Sequence, residues 1–169
     1  MTRSSARELA VHLVYEQSFW DKSADQMMEE ALQRPVFETL GGEEPLYSEF
    51  PNVGQREYIA KLVRGVEEHR EELDGYISRY SIGWNFKRLP RLVVSILRVC
   101  MLEILYMADV PNAAAINEAV ELTKHYEEQE LAAFVNGILG TFVREQVPQE
   151  TTPADDDGLF DPEPQGEDA

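Results

Sequence analysis

Cysteine is almost missing from this sequence: Cys100 stands alone, inside an apolar run. Without a second thiol an intramolecular disulfide is impossible, which fits a reducing compartment. Long apolar runs are missing too, and none approaches the roughly 18 residues that a membrane span needs. The N-terminal stretch LAVHLVY is short, contains His12 and lacks a clean cleavage site, so no signal peptide is expected. These absences predict a soluble cytoplasmic protein. Strand-like alternation is lacking as well, which leaves helices. His12, His69 and His125 fall on separate segments with no HxxxH or HExxH spacing, so no metal site is expected. No Walker-type loop, GxGxxG, GxSxG or CxxC is present, and nothing calls for an enzyme or a cofactor.

Positive charge is also scarce. Fifteen Lys and Arg face 32 Asp and Glu, a net charge of −17. That balance argues against a nucleic-acid binder of the usual kind, whose affinity comes from Lys and Arg neutralising phosphates. The deficit is uneven, however. Nine of the acidic residues follow Arg144 with no basic residue among them, which leaves 23 against 15 in the rest. Residues 148–169 combine this charge with Pro, Gly and Thr and little to bury, and are expected to form a disordered acidic tail. Residues 1–147 are long enough for one domain with a core.

What is there is helical periodicity. Ala6, Leu9, Ala10, Leu13 and Val14 make one stripe over residues 3–20. A short helix follows over 23–34, which Pro35 should end, and the Gly- and Pro-rich stretch 35–54 suggests a long loop. Residues 55–80 suggest two helices with a break near EEHREELDG. Pro90 suits the first turn of the next helix, whose sequence LVVSILRVCMLEILYM is apolar nearly all round and predicts a buried central post. In DVPN, Asp109 is a candidate cap and Pro111 a first-turn residue. The final helix carries Leu131, Phe134, Val135, Ile138, Leu139 and Phe142 in one stripe. The sum is an all-α domain of about seven helices.

Two charged features demand a partner or a purpose. Arg98 lies inside the apolar helix, where an unpaired charge is very costly. Glu118 and Glu121, three apart on the next helix, could approach as an acid/base pair. Glu103, Glu118 and Glu121 are the carboxylates within reach of Arg98, and an Arg98–Glu118 ion pair outweighs catalysis. Gly137, in the middle of the last helix, costs about 1 kcal/mol against alanine. Close approach of a neighbouring helix, with Asn136 hydrogen-bonding across, is the expected return.

Three segments together resemble the transcription antitermination factor family NusB: ARELAVHLVYEQ at 6–17, GWNFKRLPRLVVSILRVCMLEILYMADVP followed by AINEAVELTKHY, and FVNGILG at 134–140. The resemblance implies an all-α fold of two packed three-helix bundles. It further implies binding to boxA-type single-stranded RNA of ribosomal operons together with ribosomal protein NusE, within the RNA polymerase antitermination complex. Arg3 and Arg7 stand where family members carry an arginine-rich segment, with Ser4 and Ser5 where more arginines would be expected. Tyr15 matches a motif tyrosine that would stack on an unpaired base; a half-buried helix position is the competing reading. Phe134 matches the aromatic residue of the last motif, although packing is its more ordinary task. Lys124 could reach a phosphate, or pair with Glu121, Glu127 or Glu128. Each departure removes a positive charge, so weak RNA binding without NusE is expected.

The alternative class is a protein-interaction module that keeps the fold without binding RNA, a homodimer among its forms. An enzyme of the rRNA methyltransferase kind would need a cofactor-binding domain for which the chain has no room. Two roles fit the tail: repelling non-specific nucleic acid, or competing for Arg3 and Arg7 as a phosphate mimic.

Overall fold

The computed structural model describes residues 1–148; the expected tail from 149 onward lies outside the described residues. Among the described residues the fold is all-α, with helices α1 (Arg3–Gln17), α2 (Ala24–Ala31), α3 (Arg34–Leu40), α4 (Val53–Glu68), α5 (Arg70–Tyr80), α6 (Arg91–Tyr106), α7 (Asn112–Tyr126) and α8 (Gln129–Gln146). Single 3-10 turns at Pro45–Tyr47 and Phe86–Arg88 complete it. None of these helices is long and apolar enough to cross a membrane.

The helix starts follow local chemistry. The Thr2 hydroxyl accepts from the Ser5 amide, and Ser23 with Gln26 and Asn52 with Gln55 form reciprocal capping boxes. Pro90 and Pro111 stand one residue before α6 and α7 rather than inside their first turns. His69 closes α4 and opens α5, the break expected in EEHREELDG.

The segment 35–54 departs from expectation. Pro35 opens α3 instead of ending α2, because a missing N–H is harmless in a first turn. Phe37 is buried and meets Tyr47 at 5.0 Å and Phe50 at 5.1 Å, a small aromatic cluster that orders what composition alone presents as loop.

The apolar helix α6 is the post. Val93, Ile96, Leu97, Val99, Met101 and Leu102 are all buried, and α6 packs against α1, α4, α5, α7 and α8. On one side α1, α2 and α4 pack together; on the other α8 holds α5 and α7, so α6 belongs to both groups. Gly65 on α4 gives α6 its close approach, since a Cβ there would sit 2.5 Å from a Leu102 methyl. Gly137 does not play that part. A Cβ on it meets nothing within 4 Å, and Asn136 is exposed, so the helix approach expected at this position is absent.

Candidate nucleic-acid interface

The charged residues of the fold sort themselves by face. Arg98 is not the partner of Glu118. Its guanidinium forms a two-pronged pair with Asp74 on α5, Nε donating to Oδ1 at 2.7 Å and Nη2 to Oδ2 at 2.9 Å. The reason is angular: five residues along a helix turn the direction by about 140°, so Arg98 points at α5 while Glu103 points at α1.

Glu103 is wholly buried, and Arg7 of α1 serves it with Nε at 2.6 Å on Oε1 and Nη2 at 3.1 Å on Oε2. Tyr58 of α4 donates to Oε2 at 2.9 Å. Burial alone would lower the Arg7 pKa, but the hydrogen bonds and charge of Glu103 override it and hold it above the ordinary value. Burial and the Glu103 charge push the Tyr58 hydroxyl up. Glu118 accepts from the Ser4 hydroxyl at 2.8 Å and lies 3.5 Å from Arg7. Farther along the same pair of helices, Tyr126 donates to Glu8 and meets His12 Nε2 at 2.9 Å. With the Tyr126 hydroxyl donating to Glu8, its oxygen is left to accept from His12 Nε2, which makes His12 a hydrogen-bonded histidine.

Of the residues expected to meet RNA, Arg7 is thus buried and occupied. Arg3 is half exposed, held by Asp109 at 3.2 Å and lying 4.7 Å over the Tyr58 ring. Asp109 takes this role in place of capping α7. Lys124 is exposed and pairs with Glu121 at 3.3 Å. Tyr15 lies at the edge of exposure, 5.0 Å edge-on from Phe19. Phe134 is half-buried against Trp84 at 5.3 Å.

These last two contacts mark a surface that single residues in the sequence do not advertise. Phe19 and Trp20, at the end of α1, are 50% and 60% exposed. Arg91 lies 4.3 Å over the Phe19 ring and Lys22 lies 5.7 Å from the Trp20 ring. A hollow of about 310 Å³ lined by Ser18, Phe86, Lys87 and Arg91 connects this end of α1 to the segment that carries Trp84. Open aromatic faces alternating with cations suit stacked, unpaired bases and their phosphates. The signal was available in the sequence as FWDK just after α1 and GWNFKR before α6, but only folding joins them.

The sequence pattern of the NusB family matches residues 4–144. This chain belongs to the NusB family. It is 35% identical over 144 residues to the transcription antitermination protein NusB of Acetivibrio thermocellus, covering 85% of this chain and 90% of that protein. The NusB of Thermoanaerobacter sp. is 38% identical over 146 residues, covering 86% and 93%. Among solved structures, NusB of T. maritima superposes with a TM-score of 0.73 at 27% identity, covering 88% of this chain and 94% of that one. A NusB solved with NusE and dsRNA shares the fold, with a TM-score of 0.68 at 23% identity over 84% and 96% of the two chains. The NusB-like fold expected from the three motifs is the fold observed.

Proposed function

We propose that this chain is a transcription antitermination factor whose residues 1–147 bind boxA-type RNA of ribosomal operons together with ribosomal protein NusE, in the cytoplasm, helping RNA polymerase read through. The observation that carries the reading is the aromatic and cationic surface of Tyr15, Phe19, Trp20, Arg91 and Trp84, on a chain whose curated relatives are named antitermination proteins. Arg3, at the opposite end of α1 beside Asp109 and Tyr58, is a separate phosphate contact, and Phe134 supports Trp84. Arg7 acts indirectly, fixing α1 through Glu103. No catalytic role is assigned: Glu118 serves Ser4 and Arg7, and Glu121 serves Lys124.

The test is fluorescence anisotropy of a labelled boxA-type RNA, with this protein alone and with its cognate NusE. Tight binding is expected only with NusE present. Arg91→Ala should weaken it and lower the salt slope by about one, and Phe19→Ala should weaken it with that slope unchanged. If no RNA binds even with NusE, the chain is an interaction module on this fold. That second reading draws on one observation: Arg7 is buried and Arg3 is held by Asp109, so the start of α1 offers little free positive charge.

A further inference from the structure

Phe19 and Trp20 sit on the connection between α1 and α2, residues 18–23, whose side chains are largely exposed. A short surface turn with so little to bury is ordinarily mobile. Here it is tied down from beneath. Gln17, the last residue of α1, is only 5% exposed. Both protons of its side-chain amide are used: Nε2 donates to the Lys22 carbonyl at 3.0 Å and to Glu67 Oε2 on α4 at 2.6 Å. The same Glu67 oxygen accepts from the backbone amide of Ala24, which opens α2, also at 2.6 Å. A single carboxylate oxygen on α4 thus fastens both ends of the turn. The arrangement has a cost, because Gln17 Oε1 is left buried without a hydrogen-bond partner. Turning the amide over gives no relief, since Oε1 would then face the Glu67 carboxylate and the Lys22 carbonyl. An orphaned buried acceptor lowers stability, and a methionine of similar length would avoid it. Packing therefore explains Gln17 poorly, and fastening explains it well.

We propose that Gln17 and Glu67 are positioning residues: they clamp the 18–23 turn so that Phe19 and Trp20 are presented to unpaired bases before any RNA arrives. Neither residue touches the RNA. Each acts through the turn, by removing from the binding step the cost of ordering two aromatic side chains and the backbone that carries them. The use for RNA rests on the function proposed above, whereas the clamp itself does not. Glu67 also makes the proposal sharp, because it places a negative charge beside a surface meant for phosphates. Electrostatics alone would have RNA bind better without it, and the clamp requires the opposite.

The chain contains two tryptophans, Trp20 and Trp84. In full-length Trp84→Phe protein the fluorescence anisotropy decay of Trp20 therefore reports on the turn, without RNA. Glu67→Ala and Gln17→Met are each expected to enlarge its fast component about two- to three-fold, the ratio between a flexible and a rigid site. Glu67→Gln should leave the decay unchanged, because an amide oxygen accepts from two donors as the carboxylate oxygen does. The second arm keeps Trp84 and measures boxA-type RNA with cognate NusE. Glu67→Ala should weaken binding about five-fold, and Glu67→Gln should not weaken it. Gln17→Met removes no charge, so its loss of affinity should leave the salt slope unchanged. An unmoved Trp20 decay in Glu67→Ala and Gln17→Met overturns the clamp. So does an equal loosening of Trp84 in the matching Trp20→Phe proteins, which would be a general effect on the fold. Tighter RNA binding by Glu67→Ala, or a loosened turn with unaltered affinity, overturns the presentation role. If no RNA binds the unaltered chain even with NusE, the function proposed above fails, while the Trp20 decay still decides the clamp.

Discussion

Arg7 and Glu103 show how much of this protein depends on one buried pair. Removing Arg7 strands a carboxylate with no solvent access, and removing Glu103 strands a guanidinium. Arg7→Ala and Glu103→Ala are each expected to cost about 3–5 kcal/mol in urea unfolding. Tyr58→Phe removes one of three donors to Glu103 and should cost about 1 kcal/mol. His12 gives a pH signature. Burial holds its imidazole below the usual histidine range, against the pull of Glu8, Glu44 and Glu16. The unfolded chain therefore takes up this proton first. The stability contributed by neutral His12 is complete above its unfolded value of about 6.5 and is lost as pH falls toward the lower folded value. The urea midpoint should drop across that window, and His12→Gln should flatten the drop. The sequence pointed to the problem of a charge within α6 but not to its solution. It drew attention to Arg98 because that residue interrupts an apolar run, while Glu103 is the more deeply buried charge and Arg7 its distant answer. Which carboxylate meets which arginine depends on helix rotation, and several arrangements fit the same spacing.

At the scale of elements, periodicity carried most of the fold. The stripe in α1, the post α6 and the stripe in α8 all stand where apolar spacing puts them, because each buries one face or nearly all of itself. The failure at α3 has the opposite cause. Seven residues are too few for a periodic signal, and their order comes from Tyr47 and Phe50, which lie beyond the helix itself. The proposed interface draws on the family motifs around Tyr15 and Phe134, but Phe19, Trp20 and Arg91 join only when the end of α1 meets the start of α6. Gly137 offers a direct test of a helix-level reading. It lies in mid-helix with open space where a side chain would go, so Gly137→Ala should stabilise the protein by about 1 kcal/mol. That corresponds to a rise in Tm of about 2–4 °C, measurable by circular dichroism.

At the scale of the molecule, the shared post is expected to make the two helix groups unfold as one cooperative unit. Trp20 follows α1 on one side and Trp84 follows α5 on the other, so single-tryptophan variants report on each half separately. Their urea transitions should coincide, as two-state behaviour requires. Met101→Ala, in the middle of α6, should lower both midpoints together at a cost of about 2–5 kcal/mol. Separated transitions would mean that the two groups unfold independently. The Arg7–Glu103 pair also sets a schedule for birth on the ribosome. Its members are 96 residues apart, and translation at roughly 5–20 residues per second separates their appearance by about 5–20 seconds. Until α6 is made, the part of α1 that faces it is uncovered, although α2 and α4 can already pack on α1, and Arg7 lacks the carboxylate that holds it. A nascent chain of this protein can therefore gather its first helices early, but its deepest charge pair is the last thing that group acquires.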